Sequence, residues 1–455
     1  MKQLTFSIIF LISIVSGINA QASDAALRRT MAADAADIAA NGSLAKLSAA
    51  EHNSRAEIYS SNRLFPQARG HWQAIFDNYP EDPVVPKALF GTARSYMWER
   101  EYLKAVEWFD RLTKDFLGTK EGREGLAYKG ASYVRAGKNL EAAKTYEQYA
   151  TMFPDGEKID SAHLNIIDAY REAGKYDDAN RWVDRTIDKF AGTPTEANAI
   201  QSRIRMEIFR KNWPAAVTAS DALLAVGSLR GSMASTDEAK YLKAFALESS
   251  GKRAEAMRIY ASIDNASYFG GLADKHTGGN NVKTTASSGS ASLYNSYPVK
   301  FSFDLVKHSK KHKIDPRFLL AIMKQESSFR SNAKSPAGAR GLLQLVFDTA
   351  IKYKDEAGYP NLKPDDLYSS SVNIAIGSVY VSKLKDEFDG MYEAIASSYN
   401  AGEDNTARWL ARTSPKDPGI FASEVGFAET KNYVFKVMNN YRMYQMLYDE
   451  DLNKR

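Results

Sequence analysis

The stretch Glu101-Tyr102-Leu103-Lys104-Ala105 begins a pattern that recurs through the first half of the chain. A small or polar residue is followed by an aromatic or large residue, two variable residues and an alanine. The later copies place this alanine at Ala143, Ala179, Ala216 and Ala256, with spacings of 38, 36, 37 and 40 residues. Self-similarity at such a period is typical of stacked helix pairs. The pattern therefore predicts an α-solenoid between about residues 60 and 262.

Local signals place the turns inside each helix pair. Gly137 and Gly174 stand where the first helix of a pair must end, and glycine tolerates the backbone conformation needed there. The recurring alanine is small enough for two helices to approach closely, and Ala105, Phe109 and Leu112 recur at helical spacing. The units resemble tetratricopeptide repeats, although their period is longer. We expect them to form a scaffold that carries no chemistry.

The composition changes after the repeats. Residues 276–296 are mostly small and polar, which predicts a flexible linker. From Tyr297 onward aromatic and aliphatic residues are again frequent, and residues 297–455 are numerous enough to build one core. We therefore expect a helical repeat region over residues 23–275 and a second domain that folds on its own over residues 297–455.

The N-terminus predicts export. Lys2 precedes an apolar run from Leu4 to Ile18, and Ala20-Gln21-Ala22 fits the small-residue cleavage rule, so residues 1–22 are interpreted as a cleaved signal peptide. A membrane anchor is the alternative. A spanning helix needs about 20 apolar residues, however, and this run is shorter. No other segment of the sequence is long and apolar enough to span a membrane.

Composition limits the classes of function. The chain has no cysteine, which excludes disulfides, thiolate metal sites and a cysteine nucleophile. Its net charge is +5, with 60 basic and 55 acidic residues, and this balance gives no reason to expect a nucleic-acid partner. His308 and His312 are four residues apart, but Ser309 stands where a metalloprotease helix has glutamate, and no third ligand is evident. We expect no metal and no cofactor, and we interpret residues 307–313 as a solvated helix face.

One glutamate lies where a polar residue is unusual. Asp315 and Pro316 form a good helix start, with a capping side chain followed by proline at the first helical position. Leu319, Ile322 and Met323 then form an apolar stripe, and Glu326 projects from the same stripe. Desolvation there would raise the pKa of the carboxyl and suit it to act as a general acid near neutral pH. Alternatively, Glu326 is a helix-end glutamate that is paired or reaches solvent.

Two further segments offer polar groups to a ligand. The loop from Ser335 to Gln344 contains glycines that allow close backbone approach, and Gln344 would present an amide. Tyr399 and Asn400 come at the end of an amphipathic helix that Gly402 would terminate, and they offer a phenol and an amide. Taken alone, both segments could be ordinary loop and core-edge residues.

Four segments together resemble the soluble lytic murein transglycosylase family. Residues 321–329, around Glu326, resemble its catalytic helix. Residues 335–344, 394–402 and 424–434 resemble its second, third and fourth motifs, in the family's order. The resemblance is strong over about residues 297–445 and only architectural over the repeats. It implies an all-α chain in which a TPR-like α-solenoid is followed by a lysozyme-like α-helical catalytic domain.

The resemblance also implies roles and a reaction. Glu326 would be the catalytic acid and base, and the substrate-binding groove would be lined by Ser335, Gln344, Tyr399, Asn400 and Glu429. The implied activity is non-hydrolytic cleavage of peptidoglycan between N-acetylmuramic acid and N-acetylglucosamine, with formation of 1,6-anhydro ends and without a cofactor. The expected location is the periplasm of a Gram-negative bacterium, and the repeats could bind other cell-wall proteins.

Two departures and two alternatives accompany this interpretation. Leu343 and Phe347 replace the methionine and proline common in the family's second motif, and neither change removes a chemical group. A lysozyme-type muramidase would use water and leave reducing ends. A non-catalytic cell-wall scaffold would act through its repeats alone, and the presence of Glu326 together with Gln344 and Tyr399 argues against it.

Overall fold

The computed structural model describes residues 18–278 and 290–455. Most of the predicted signal peptide and the centre of the predicted linker therefore lie outside the described residues. The described parts are helical, with a few isolated β-bridges, which confirms the predicted all-α fold. No helix in these two ranges has the length and apolar character needed to cross a membrane.

Contacts between Cα atoms divide the chain into two compact units. The first unit contains the described residues up to Thr186 together with the short segment Ser335–Gly338. The second unit contains Ile187–Lys334 and Ala339–Arg455. The division falls inside the predicted repeat region, and the described residues 276–278 and 290–296 of the predicted linker belong to the second unit.

The first unit is a series of antiparallel helix pairs. The recurring sequence pattern marks the start of the second helix in each pair, and Gly137 and Gly174, with φ of +71° and +69°, end the preceding helices. The alanines of the pattern, such as Ala105 and Ala143, are fully buried where the paired helices meet. The helices are α1 (Ile18–Asn41), α2 (Ala49–Ser61), α3 (Phe65–Asn78), α4 (Val85–Trp98), α5 (Tyr102–Asp115), α6 (Lys120–Arg135), α7 (Asn139–Met152), α8 (Ile159–Glu172) and α9 (Tyr176–Lys189), whose end reaches the second unit.

The second unit starts with the last repeats and continues into the C-terminal helices. Its repeat helices are α10 (Pro194–Phe209), α11 (Trp213–Ala225), α12 (Thr236–Ser249), α13 (Arg253–Tyr260) and α14 (Tyr268–His276). The C-terminal helices are α15 (Ser290–Ser296), α16 (Ser302–His312), α17 (Pro316–Glu326), α18 (Phe347–Ala357), α19 (Ser370–Glu387), α20 (Tyr392–Ala401), α21 (Glu403–Ala411), α22 (Pro418–Glu424) and α23 (Ala428–Leu447), with a 3₁₀ turn at Pro364–Tyr368.

One hydrophobic core serves the whole second unit. It includes Tyr241 and Phe269 from the repeat helices and Phe421 and Val434 from the C-terminal helices, all of them buried. The C-terminal helices are therefore packed on α10–α14 and are not joined to them only through the linker. Independent folding of residues 297–455 stays a prediction, and this shared core bears directly on it.

Candidate active site

The helix that carries Glu326 forms as its sequence indicates. The Asp315 side chain accepts a hydrogen bond from the Arg317 backbone N–H at 2.9 Å and caps α17, and Pro316 occupies the first helical position. Leu319, Ile322 and Met323 are fully buried on one face of this helix. Glu326, in the last turn of the same face, is only 6% exposed.

The environment of Glu326 favours its protonated form. Burial raises the pKa of Glu326 to about 7, and the negative charge of Glu429 acts in the same direction. The Tyr433 hydroxyl donates a hydrogen bond to Glu326 Oε1 at 2.6 Å and opposes this rise in pKa, because it stabilises the carboxylate. A carboxyl with this pKa can hold a proton at neutral pH and also release it, as general acid and base catalysis requires.

The backbone turns sharply directly after Glu326. Ser328 and Phe329 both adopt left-handed conformations, with φ of +50° and +65°. Ser327 donates a hydrogen bond from Oγ to the Leu342 carbonyl at 2.7 Å, which ties the end of α17 to the glycine-containing loop. Helix α17 and this loop are thus held together beside Glu326.

The buried side chain of Asn373 on α19 fixes the same loop. Its Nδ2 donates to the carbonyls of Arg340 at 3.0 Å and Leu367 at 2.8 Å, and its Oδ1 accepts from the Leu343 N–H at 2.8 Å. Gly341 has φ of +80°, and a Cβ there would lie 2.2 Å from the Leu367 carbonyl oxygen. The close approach predicted for the loop glycines therefore takes place at Gly341.

The loop positions the Gln344 side chain and accepts a hydrogen bond from Tyr399. Gln344 has a left-handed backbone, and its Nε2 donates to the carbonyls of Ala333 at 3.1 Å and Gly341 at 2.8 Å. The amide N–H groups are thus occupied within the loop, so Oε1 is the atom that Gln344 can offer to a ligand. The half-buried Tyr399 donates from its hydroxyl to the Leu343 carbonyl at 2.7 Å. Leu343 itself is fully buried, so this departure from the family pattern falls in the core.

The first turn of α23 completes the site. Thr430 donates from Oγ1 to Asn400 Oδ1 at 2.6 Å, which joins α23 to the end of α20. Glu429 is half-buried, and burial raises its pKa above the ordinary value. The charge of Glu429 acts on Glu326 and the charge of Glu326 acts on Tyr399, so Glu429 and Tyr399 each lie near Glu326.

The structure therefore brings most of the predicted site residues together. Glu326, Gln344, Tyr399, Asn400 and Glu429 all belong to the second unit, and their roles stay predictions. Ser335 groups with residues 336–338 in the first unit, and its substrate-binding role also stays a prediction. Tyr433 lies within residues 424–434, which resemble the fourth motif, but it is not among the predicted site residues. It makes the one direct hydrogen bond to Glu326 among the described residues.

Metal binding gains no support from the described residues. No group of three or more histidine, aspartate or glutamate side chains within residues 18–278 and 290–455 could hold a metal ion. The segment with His308 and His312 is only partly the solvated face that we expected. Its lysines are exposed, but His308 is buried in α16, and burial lowers the pKa of its imidazole.

Comparison with known proteins identifies the region around the site. Residues 305–420 match the transglycosylase SLT domain family. A putative soluble lytic murein transglycosylase from Haemophilus influenzae is 33% identical over 139 residues, which are 30% of this chain and 23% of the relative. The matched segment therefore spans about a quarter of that relative's length.

Solved structures extend the similarity to most of the chain. Lytic transglycosylase Slt from Pseudomonas aeruginosa, solved as an inactive glutamate-to-glutamine mutant, aligns with a TM-score of 0.51 and 18% identity over 89% of this chain and 81% of that chain. The 70-kDa soluble lytic transglycosylase from Escherichia coli aligns with a TM-score of 0.51 and 17% identity over 94% and 85% of the two chains. At these identities the similarity concerns the fold alone.

Proposed function

We propose that this chain, which carries a transglycosylase SLT domain, is a lytic transglycosylase that cleaves peptidoglycan glycan strands without water. The bond cleaved is the β-1,4 linkage between N-acetylmuramic acid and N-acetylglucosamine, and the products carry 1,6-anhydromuramic ends. The observation that carries the proposal is Glu326, a buried carboxyl with a pKa raised to about 7 inside the matched domain.

In the first step Glu326 acts as the general acid. Its carboxyl proton passes to the glycosidic oxygen, the bond from this oxygen to C1 of the muramic sugar breaks, and the N-acetyl group of that sugar assists departure. A proton held near neutral pH by burial suits this transfer, because a general acid works best with a pKa near the working pH. The hydrogen bond from Tyr433 stabilises the carboxylate that results.

In the second step the same group acts as the base. The Glu326 carboxylate takes the proton of the sugar's own C6 hydroxyl, and the C6 oxygen bonds to C1. The ring closes, the enzyme regains its proton, and no water enters the product. Intramolecular attack has a high effective concentration, so a single carboxylate is sufficient and no cofactor is required.

The remaining side chains would bind the sugar. Gln344 Oε1 can accept a hydrogen bond from a hydroxyl or amide group of the substrate, and Tyr399 and Asn400 are held at the end of α20 by Leu343 and Thr430. We also propose that Ser335 and Glu429 each bind the substrate. The substrate and the predicted signal peptide suggest action in the periplasm of a Gram-negative bacterium, and the repeats would offer a surface to other cell-wall proteins.

The decisive test is digestion of purified peptidoglycan in water enriched in heavy oxygen. A transglycosylase yields 1,6-anhydromuramyl products that resist borohydride reduction and contain no heavy oxygen. Heavy oxygen at C1 of the muramic sugar, with reducible ends, would support the lysozyme-type alternative, in which Glu429 would be the candidate second carboxylate. An intact chain that binds peptidoglycan without cleaving it would support the scaffold alternative.

The Pseudomonas relative suggests the matching control. That protein is inactive as a glutamate-to-glutamine mutant. We infer that Glu326→Gln is the corresponding change here, and this variant should cleave glycan at least about 10²-fold more slowly than the wild type.

A further inference from the structure

The first two turns of α23 contact two parts of the second unit on opposite sides. Lys431 and Tyr433 are two residues apart and therefore point about 200° apart around the helix. Tyr433 donates its hydrogen bond to Glu326 on α17. Lys431 points to the repeat helices, where its Nζ lies 2.7 Å from Glu238 Oε1 on α12.

This contact with α12 is an ion pair without access to water. The side chains of Lys431 and Glu238 are 2% and 0% exposed. Gln201 on α10 donates a second hydrogen bond to the same Glu238 oxygen at 2.6 Å. Arg205, also on α10, donates to the Ser423 carbonyl at 3.2 Å, so the repeat helices contact α22 as well.

Apolar and polar contacts extend the same interface. Phe435, four residues after Lys431 and on the same face of α23, stacks on Tyr268 with ring centroids 4.9 Å apart. The Tyr268 hydroxyl also lies 3.2 Å from Glu393 Oε1. Glu393 belongs to α20, the helix that carries Tyr399 and Asn400. Helices α23 and α20, which carry Tyr433 and Tyr399, therefore both contact the repeat helices.

A buried ion pair is an unusual contact between two helices such as α23 and α12. Desolvation of two charges offsets most of their attraction, so apolar residues of similar volume would give at least as much stability. An ion pair instead disfavours other registers, because a shift of one partner leaves a buried charge unpaired. This property suits a contact whose task is to fix the position of a helix turn.

We propose that Lys431 and Glu238 are positioning residues through which the last repeats hold the first turn of α23, so that Tyr433 stays on Glu326. The repeats of the second unit are then part of the support of the active site. The inference rests on the proposed function for its activity readout and on geometry for the contact itself.

The test compares three substitutions in the full-length chain. Lys431→Met removes the buried ammonium group and keeps most of the side-chain volume. Tyr433→Phe removes the hydrogen bond to Glu326 and serves as the reference. Lys416→Met is the matched control, because Lys416 pairs with Asp389 at 2.9 Å on the surface of the same unit, where the side chains are 62% and 78% exposed.

The main readout is the alkaline limb of the pH profile of glycan cleavage, where Glu326 loses its proton. Among the described residues, the titratable groups that act on Glu326 are Tyr433 and Glu429 from α23. The charge of Glu326 in turn acts on Tyr399 of α20, whose ring lies 5.3 Å from that of Tyr380 on α19. Loss of the Tyr433 hydrogen bond removes a contact that lowers the pKa of Glu326. Tyr433→Phe should therefore move the limb upward by about one pH unit.

Lys431→Met should move the limb in the same direction and reduce the rate by about 10- to 100-fold, as expected for a displacement of roughly 1 Å. Lys431→Met combined with Tyr433→Phe should shift the limb no further than Tyr433→Phe alone, because both changes act through one hydrogen bond. Lys416→Met should match the wild type. A slower Lys431→Met enzyme with an unmoved limb, or additive shifts in the double variant, would overturn the proposal.

Unfolding does not obscure this result. Stability falls as pH rises toward the pKa of Glu326, so each rate is divided by the folded fraction that circular dichroism gives at the same pH. Lys431→Met combined with Glu238→Gln removes both charges and avoids the unpaired glutamate. It should also show the shifted limb, and a limb at the wild-type position would count against the positioning role.

A second measurement separates this proposal from the proposed function. The Glu326 carboxyl carbon can be titrated by NMR in glutamate-labelled protein, and its signal is assigned by its absence in Glu326→Gln. Tyr433→Phe and Lys431→Met should both raise the pKa measured in this way. If the wild-type chain cleaves no glycan, the proposed function fails while this titration still decides the role of Lys431.

Discussion

At the scale of single residues, the chemistry depends on the proton of Glu326. Glu326→Gln keeps the shape and the contact with Tyr433 but has no proton to transfer. We expect glycan cleavage to fall by about 10²-fold or more, since general acid and base catalysis contributes this much. The measurement is the release of 1,6-anhydro products, with the folded state checked by circular dichroism. Activity near that of the wild type would remove Glu326 from the proposed role.

The same residue should affect stability in a pH-dependent way. Burial raises the pKa of Glu326 to about 7 in the folded chain, above the ordinary 4.5 of glutamate. The folded state then binds more protons than the unfolded state between these values, so stability falls as pH rises from about 4.5 to 7 and the loss is complete above that. Glu326→Gln replaces the carboxyl with an amide that does not ionise, so the variant lacks this dependence of stability on pH.

We therefore expect Glu326→Gln to be more stable than the wild type at pH 8, by at most about 3 kcal/mol, and equally stable near pH 4. Denaturant unfolding at the two pH values tests this. Equal stability at both values would mean that the carboxyl is not desolvated in the folded protein. An inactive but more stable variant is the expected result where a site is shaped for catalysis and not for stability.

The sequence predicts Glu326 better than it predicts the partner of Glu326. The apolar stripe of Leu319, Ile322 and Met323 is local, so the burial of a glutamate at the same helical spacing can be read without knowing the fold. Tyr433 is 107 residues away and reaches Glu326 only because α23 packs on α17. Lys431 and Glu238 are 193 residues apart, and no local pattern distinguishes them from the other charged residues.

At the scale of elements, Gly341 should be the least replaceable residue of the loop beside the site. Its φ of +80° is unfavourable for any side chain, and a Cβ would also lie 2.2 Å from the Leu367 carbonyl oxygen and 2.4 Å from Asn373 Nδ2. Gly341→Ala must therefore displace the loop that holds Gln344. We expect a stability loss of about 2–4 kcal/mol, as for strain combined with overpacking, and a marked loss of activity.

Gly358 is the matched control for this substitution. It also has a positive φ, +93°, at the end of α18, but a Cβ there would meet nothing within 4 Å. Gly358→Ala should cost only the backbone strain, about 1–2 kcal/mol, and leave activity unchanged. Equal effects of the two alanines on thermal unfolding and on cleavage would show that the contact with Asn373 does not fix the loop.

The repeat elements were the most predictable part of the fold. A period of about 37 residues is visible in the sequence itself, and each copy of the pattern begins the second helix of a pair, as at Tyr102 in α5 and Tyr176 in α9. Full burial of Ala105 and Ala179 follows from the close helix approach that their size permits. The pattern says which face of each helix is buried, but not which other helix covers the last repeats.

At the scale of the whole molecule, the composition and the structure lead to different expectations about whether residues 297–455 fold alone. Composition predicts that residues 297–455 fold alone after a flexible linker. The structure packs this region on α10–α14 in one core and pairs Lys431 with Glu238 across the boundary. A fragment that begins at residue 297 lacks Glu238, so Lys431 has no partner there. It also lacks Tyr268, so the apolar surface around Phe435 is exposed.

We expect the shared core to decide the outcome. An unpaired buried charge alone costs about 3–5 kcal/mol, a large part of the 5–15 kcal/mol that usually separates folded from unfolded states. A fragment of residues 187–455 should unfold cooperatively, whereas a fragment of residues 297–455 should be much less stable or aggregate. Denaturant unfolding of both fragments, followed by circular dichroism, makes the comparison. Equal stability would mean that α10–α14 add nothing to the folding of the C-terminal helices and that the boundary expected from composition is the correct one.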